Sequence, residues 1–168
     1  QDRVSRLLRR DIDEVEPWFA ESFQQTYLRD DVAIVAGPPG MGKTRYFIRQ
    51  LARDAAAGFG GTILEPTYES CEERIRDLRA YVEAEDLDIQ ILLATSITRV
   101  CKHGDKMAQW VRYSGSWRSV MCATCEHQTD CRVHTQFQGI DRSRTVIFAV
   151  HALLPTLDRQ KMLGSYVV

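Results

Sequence analysis

Short apolar runs alternate with longer amphipathic stretches along most of the chain. The runs typical of buried strands span residues 31–36, 62–67, 88–95, 145–150 and, at the end of the sequence, 165–168. Between them, apolar positions recur at helical spacing over 44–57, over 70–84 and from His151 onward. Strands that alternate with helices form parallel sheets covered on both faces, so the pattern predicts an α/β fold.

Two stretches depart from this alternation. The first thirty residues carry apolar side chains at near-helical spacing, divided by Pro17, which predicts a helical extension. Its apolar stripe is typical of core packing, and a partner-binding helix is the alternative. The second departure lies between the third and fourth strand and predicts an insertion. The predicted domains are the extension at 1–30, the core lobe at 31–97 and 141–168, and the insertion at 98–140.

Composition narrows the class of protein. The 168 residues suit one domain, and a hydrophobic content of 44% is normal for a packed core. A net charge of −1 does not by itself indicate a nucleic-acid partner. No apolar run approaches the roughly 18 residues that a membrane span needs, and the N-terminus lacks a signal-peptide core. We therefore expect an intracellular fragment without its initiator Met, from the cytoplasm, nucleoid or nucleus, and no membrane partner.

A phosphate-binding motif follows the first predicted strand. Residues 37–44 match the pattern G-x-x-x-x-G-K-[ST] between a strand and a helix. The motif consists of Gly37, Pro38, Pro39, Gly40, Met41, Gly42, Lys43 and Thr44. Backbone amides and the helix N-terminus would hold phosphate, Lys43 would reach the β- and γ-phosphates, and Thr44 would ligate Mg²⁺. The motif predicts binding of a nucleoside triphosphate, and the alternative is a Gly/Pro turn before an ordinary helix.

The acidic residue that a hydrolytic P-loop enzyme needs for Mg²⁺ is missing. No apolar run ends in Asp or Asp-Glu, and the sequence stops at Val168, where a further strand is beginning. We expect this acid beyond the end of the chain, so that the fragment binds nucleotide but hydrolyses it poorly. Glu65, at the end of the second predicted strand, is the first residue to test if hydrolysis is robust.

Four cysteines lie within the insertion. Cys101, Cys122, Cys125 and Cys131 are spaced C-x20-C-x2-C-x5-C, a pattern that indicates a metal or cluster site in an intracellular protein. An iron–sulfur cluster fits four sulfurs, as does tetrahedral Zn²⁺. In the zinc case a histidine could replace one sulfur; the candidates are His127 and His134. Free structural cysteines are the third alternative. Cys71 lies outside this spacing, and we interpret it as a buried small apolar residue.

The insertion is also basic and aromatic. Between residues 97 and 145 the chain has eight Lys or Arg against four Asp or Glu, interleaved with aromatic side chains. Basic residues that follow a phosphate backbone, with aromatics for base stacking, are typical of single-strand binding. The candidate contacts are Lys102, Arg112 and Arg118, and the aromatics are Trp110, Tyr113 and Trp117. A solvated loop, with these aromatics as its small core, is the alternative.

The order of these features resembles superfamily 2 DNA helicases of the xeroderma pigmentosum group D and DinG type. The resemblance rests on the P-loop, a strand ending in Pro66-Thr67, the four-cysteine insertion, and an apolar strand that runs into His151-Ala-Leu-Leu. It covers roughly residues 31–168. Two features differ: Met41 stands where the family usually has Thr or Ser, and the step from Cys125 to Cys131 is short.

The resemblance implies a RecA-like first lobe that binds ATP and Mg²⁺, with a 4Fe–4S cluster on the four cysteines. It also implies contacts of Pro66 and Thr67 with a DNA backbone, and Gln24 and Gln25 are the only candidates for reading adenine. The expected partners are single-stranded or forked DNA and a second RecA-like lobe beyond the C-terminus. The alternative is a non-helicase P-loop ATPase, of AAA or signalling type, with a zinc-stabilised protein-interaction module.

Overall fold

A computed structural model of the chain describes residues 42–106 and 122–159. The chain divides into two units, Gln1–Gln50 and Leu51–Val168, and the boundary falls within the first described helix. The elements in chain order are α1 (Lys43–Ala56), β1 (Gly61–Glu65), α2 (Tyr68–Ala84), β2 (Gln90–Leu93), α3 (Ile97–Val100), α4 (Arg132–Thr135), a 3₁₀ turn (Arg142–Arg144), β3 (Thr145–Val150), a second 3₁₀ turn (His151–Leu153) and α5 (Leu154–Arg159).

The three strands form one parallel sheet in which β3 lies between β1 and β2. In this register Gly61 pairs with Val146, and Gln90 pairs with Thr145. The α/β class and the parallel sheet predicted from the sequence are confirmed for these three strands. The further strands expected at 31–36 and 165–168, and the helical extension at 1–30, lie outside the described residues.

The core of the sheet follows from the composition of β3. Its sequence, TVIFAV, is apolar except for Thr145, and all six residues are buried, so both faces of this strand are covered. Ile147 and Ala149 pack with Ala94 and Leu157, and partly buried Phe137 and Ile140 lie against this cluster. Helix α2 contacts all three strands. A continuous apolar run is what a strand covered on both faces requires.

Strand β1 ends two residues before the predicted boundary, at Glu65 rather than Thr67. Thr67 is instead the N-cap of α2, which starts at Tyr68 and not at the predicted Ser70. The Thr67 hydroxyl accepts the Ser70 N–H at 3.1 Å, and the Ser70 hydroxyl accepts the Thr67 N–H at 3.3 Å. This capping box satisfies backbone donors that the helix leaves free, so the chain turns into the helix here.

Strand β2 covers Gln90–Leu93, whereas the apolar pattern predicted residues 88–95. On its C-terminal side, the Thr95 N–H donates to the side-chain oxygen of Gln136 at 3.2 Å instead of continuing the ladder. At the other end, Asp88 forms an ion pair with Arg144 at 3.1 Å. At both ends of β2, contacts of polar side chains therefore replace the hydrogen bonds between strands.

Gly60 explains the close approach of the chain at the start of β1. A Cβ at this position would collide with the carbonyl oxygen of Arg142 and would lie 2.6 Å from that of Thr145. Only glycine lets the two backbones pass at this distance. The glycine run that the sequence marks as a turn thus also sets how β1 enters the sheet beside β3.

The connection from β2 to β3 contains the described residues 98–106 and 122–140, called the cysteine segment below. This segment contains the end of α3 and the short helix α4, and Val133 alone among its described residues is buried. The expected interruption of the strand–helix alternation is therefore present. Within the described part of the chain, no helix has both the length and the apolar character needed to cross a membrane.

Candidate functional site

The described end of the phosphate-binding motif consists of Gly42, Lys43 and Thr44. Gly42 has φ +77°, a left-handed conformation that glycine adopts without steric cost. Helix α1 begins at Lys43, one residue before the predicted start, and the Tyr46 N–H donates to the Gly42 carbonyl at 2.9 Å. Gly42 therefore lies directly before a helix N-terminus, where backbone N–H groups and the helix dipole favour an anion. Gly37, Pro38, Pro39, Gly40 and Met41 lie outside the described residues.

Glu65 is the only carboxylate at the C-terminal end of a described strand; β2 and β3 end in Leu93 and Val150. It is 9% exposed, and its carboxylate lies 3.7 Å from the guanidinium of Arg74. The residue named as the fallback Mg²⁺ ligand is therefore already engaged by a cation on α2.

Pro66 and Thr67, the predicted DNA contacts from the family resemblance, are both exposed. Tyr68 follows them, and its hydroxyl accepts the Ser96 N–H at 2.7 Å. The guanidinium of Arg99 lies 4.1 Å from the centre of the Tyr68 ring. These contacts place the turn after β1 directly beside the chain that leads from β2 into the cysteine segment.

The four cysteines of the insertion converge in space. Cys101, Cys122, Cys125 and Cys131 line one cavity, although thirty positions separate the first from the last. All four are half-buried and free of disulfides. The remaining lining residues are His103, Gln128 and His134. The convergence predicted from the cysteine spacing is thus found in the structure.

Local backbone structure positions each sulfur. Cys101 follows α3 as its C-cap, and Cys131 is the N-cap residue of α4. The Cys125 N–H donates to the Cys122 carbonyl at 3.3 Å, which closes the C-x2-C pair into a turn. The His103 N–H points to the Cys101 sulfur at 3.4 Å. Backbone N–H groups directed at sulfur stabilise a thiolate and tune a centre bound to it.

The cysteine sulfurs can be compared with the ligands of a tetrahedral zinc site. A tetrahedral Zn²⁺ with bonds of about 2.3 Å would hold its sulfurs about 3.8 Å apart. Among the described residues, no three of the four sulfurs lie within 4.8 Å of one another. The four cysteines share one cavity, and a set of four sulfurs suits either tetrahedral Zn²⁺ or an iron–sulfur cluster.

His134 provides an observation that points to a bound group. Its Nε2 is buried without a hydrogen-bond partner in the described structure, and the side chain lines the cysteine cavity. An unpaired buried polar atom costs roughly 1–3 kcal/mol, which a ligand or a thiolate acceptor would remove. Of the two histidines considered as a replacement for one sulfur, His134 lines the cavity and His127 does not.

Lys102, a predicted DNA contact, has local partners. Its ammonium lies 3.3 Å from the Asp130 carboxylate and 3.2 Å from Nδ1 of His127. The hydrogen bond and charge of Lys102 hold the pKa of Asp130 below its usual value. The side chain of Lys102 is nevertheless 56% exposed. The other predicted contacts, Arg112 and Arg118, and the three aromatics Trp110, Tyr113 and Trp117 lie outside the described residues.

Cys71 is separate from the cavity, as predicted. It is fully buried on α2, and burial, with a further contribution from the charge of Glu65, raises the pKa of its thiol to about 11. A thiol that stays protonated in this way is a poor metal ligand and a poor nucleophile. The interpretation of Cys71 as a small apolar residue is confirmed.

Sequence reasoning missed two residues that line the cavity, His103 and Gln128, and a third, Gln136, that bonds the backbone of Thr95. His103 was not singled out, although it follows Cys101 by only two positions and lines the cavity. Gln136 was not recognised either; its side chain accepts the Thr95 N–H and donates to the Thr95 carbonyl at 3.4 Å. A histidine close to a candidate ligand was a usable signal for the first, whereas a lone glutamine carries none.

Comparison of the chain with family models, with curated proteins and with solved structures gave no match.

Proposed function

We propose that the chain is the nucleotide-binding lobe of an ATP-dependent DNA helicase, in which the four cysteines hold a 4Fe–4S cluster, or alternatively Zn²⁺, beside a surface for single-stranded DNA. The observation that carries the proposal is the convergence of the four cysteines on one cavity. That cavity belongs to the connection between two neighbouring strands of a parallel sheet. The family resemblance pairs these same two features.

The nucleotide part of the proposal rests on Lys43 and Thr44. They open α1 directly after a left-handed glycine, where helix N–H groups and the helix dipole favour phosphate. In the proposed role, the Lys43 ammonium binds the β- and γ-phosphates of ATP, and the Thr44 hydroxyl ligates Mg²⁺. The acid that completes a hydrolytic site and the second RecA-like lobe would lie beyond the C-terminus. The chain alone is therefore expected to bind ATP and to hydrolyse it slowly.

The cysteine part rests on the chemistry of the cavity. Four thiols, one unpaired imidazole nitrogen and an N–H directed at Cys101 form a donor set suited to a metal centre. Four sulfurs fit an iron–sulfur cluster, and they also fit tetrahedral Zn²⁺. A bound centre would supply coordinate bonds to a segment in which Val133 alone is buried among the described residues. Its proposed role is to hold the segment in a fixed shape against DNA.

The DNA part rests on the neighbourhood of the β1 turn and the cysteine segment. Exposed Pro66 and Thr67 lie beside Ser96 and Arg99 through the Tyr68 contacts. Arg99 and Lys102 are both exposed and belong to the basic insertion. A DNA strand bound here would contact Pro66 and Thr67 and then the basic side chains of Arg99 and Lys102. Basic side chains along the path of a phosphate backbone are typical of single-strand binding.

The experiment compares two variants, each expected to lose one function and keep the other, in protein purified without oxygen. Iron and zinc content and the visible absorption spectrum identify the centre. Binding of ATP and of a fluorescent single-stranded oligonucleotide is then measured for Lys43→Ala and Cys125→Ser, with Cys71→Ala as the control cysteine. We expect Lys43→Ala to lose ATP affinity and to keep its metal. Cys125→Ser should lose metal and DNA binding and keep ATP binding.

Three outcomes would contradict the proposal. Undiminished ATP affinity in folded Lys43→Ala would remove the nucleotide role. Unchanged metal content in Cys125→Ser would remove the cysteine centre. Zinc without any DNA affinity would favour the alternative, a P-loop ATPase that carries a protein-interaction module.

A further inference from the structure

A second set of metal-binding side chains lies beside the cysteine cavity. One potential ligand atom each from His103, Glu126 and His127 lies within 4.8 Å of the other two. The two imidazole rings are stacked, with centroids 6.0 Å apart. His103 comes two residues after Cys101, whereas Glu126 and His127 follow Cys125 directly. The set therefore joins the two halves of the cysteine segment.

The distances suit one small cation. Zinc bonds to nitrogen and carboxylate oxygen measure about 2.0–2.2 Å, which in a tetrahedron places neighbouring ligand atoms about 3.3–3.6 Å apart. Nε2 of His127 and Oε1 of Glu126 are 3.5 Å apart. One edge of the tetrahedron is thus already at its bonded length. A modest movement of the exposed Glu126 and the His103 ring would complete a three-ligand face.

We infer that His103, Glu126 and His127 bind a divalent transition-metal ion of the zinc class, at a site separate from the cysteine centre. Two imidazoles and one carboxylate are a ligand set that zinc takes up readily, and three protein ligands leave the fourth position to an exchangeable ligand such as water. The ion links residue 103 to residues 126 and 127 and fastens the segment at the rim of the cavity. The site does not depend on which centre the cysteines hold, or on the proposed helicase function.

Lys102 determines which nitrogen of His127 carries the proton before the ion binds. An ammonium group can only donate, so Nδ1 of His127 accepts from Lys102 and Nε2 carries the proton that faces Glu126. The incoming ion displaces this proton. It also meets the positive charge of Lys102, which Asp130 offsets only in part, since that ion pair is exposed. Lys102 therefore weakens metal binding, and its removal strengthens it.

The test is a calorimetric titration with Zn²⁺ of the whole chain, purified without oxygen and with its cysteine centre filled. We expect one additional zinc ion per chain. Glu126→Gln and His103→Gln should each weaken its binding by about tenfold or more, since the loss of even an outer partner of a metal ligand costs about 10–100-fold in affinity. The control is His151→Gln, an exposed histidine on the 3₁₀ turn after β3, which should bind as the wild type does.

Co²⁺ separates this site from the cysteines. Cobalt bound by His103, Glu126 and His127 gives no thiolate-to-metal charge-transfer band, whereas cobalt bound by cysteine does. Such a band for the additional ion overturns the inference, as does equal zinc affinity in Glu126→Gln and the wild type. If His103→Gln changes the absorption of the cysteine centre and leaves the zinc affinity unchanged, His103 is a ligand of the cysteine centre and the inference fails.

The zinc affinity of Lys102→Gln distinguishes a metal site from a simple ion pair between His127 and Glu126. This variant keeps a polar side chain and removes the charge, and we expect zinc to bind several-fold more tightly than in the wild type. Zinc affinity that is unchanged or weaker in Lys102→Gln contradicts the assigned orientation of the His127 ring, and with it the site.

Discussion

The sheet and the cysteine segment are stabilised in different ways. Every residue of β3 is buried, and α2 adds Cys71, Ile75, Leu78 and Tyr81 to the buried set. In the cysteine segment, Val133 alone among the described residues is buried, and all four cysteines are half-buried. Apolar burial holds the sheet, whereas the segment has hydrogen bonds, exposed ion pairs and a cavity lined with sulfur.

The two regions depend on different interactions for their folded structure. Burial of apolar surface is non-directional and tolerates small changes in shape. The apolar residues of the strands and of α2 can therefore stabilise the sheet without a bound group. Among the described residues of the cysteine segment only Val133 is buried, so these residues offset little of their chain entropy in that way. In the proposed function, metal–thiolate bonds supply the further stabilisation of this segment.

Loss of the metal centre tests this contrast with the largest expected effect. Apparent binding free energies of structural zinc sites are about 10–16 kcal/mol, and such energy becomes folding energy for the region that binds the metal. Cys122→Ser should therefore lose the centre and make the cysteine segment sensitive to protease. The cooperative melting of the sheet should stay close to that of the wild type. Limited proteolysis with mass spectrometry measures the first effect, and circular dichroism measures the second. An equally resistant segment would show that sulfur ligation does not hold it.

The converse change is Phe148→Ala, which removes a fully buried ring from the middle strand. Substitutions of this kind cost about 3–5 kcal/mol. We expect a loss of that size in the free energy of unfolding of the sheet, measured by denaturant titration, with the metal content per folded chain unchanged. Phe59→Ala is the matched control, because Phe59 is 56% exposed and should cost little. Similar losses of unfolding free energy in the two variants would contradict the position of Phe148 in the core.

Gln136 connects the two regions and gives a smaller effect. Its amide bonds both backbone groups of Thr95, in the manner of a neighbouring strand. Gln136→Ala leaves these half-buried groups unpaired, at a cost of about 1–3 kcal/mol. Hydrogen exchange should show faster exchange of the Thr95 amide with metal content retained. Gln138→Ala, at an exposed position in the same turn, is the control. Unchanged exchange at Thr95 would mean that the connection is made elsewhere.

Tyr68→Phe should have the smallest effect. It removes the acceptor of the Ser96 N–H and keeps the ring beneath Arg99. A single hydrogen bond of this kind contributes about 0.5–1.5 kcal/mol. We expect a shift of that size in the unfolding midpoint and faster exchange at the Ser96 amide. A loss as large as that of Phe148→Ala would reveal a larger role for Tyr68 than the contacts indicate.

The same contrast explains how much could be predicted from the sequence. Strand β3 was predicted at the residues where it is found, because a continuous apolar run specifies a strand covered on both faces. The end of β1 was missed at Thr67, where a capping box with Ser70 in place of the usual Glu or Gln takes the chain into α2. Local propensity carries no clear signal for that choice.

Within the candidate site, the convergence of the cysteines could be predicted because sulfur spacing is a local and specific pattern. The clamp of Gln136 on Thr95 could not, since the two residues are far apart in sequence and an amide side chain suits many surroundings. The same holds for the position of β3 between β1 and β2, which depends on tertiary packing. The nucleotide, DNA and metal roles remain predictions.

The place of β3 in the sheet also governs when the sheet can form during synthesis. The strand that joins the other two is the last of the three to leave the ribosome. At roughly 5–20 residues per second, β1 and β2 wait several seconds without their common partner, while the whole cysteine-containing connection emerges. The cysteines are therefore synthesised before the strands on either side of them can pair.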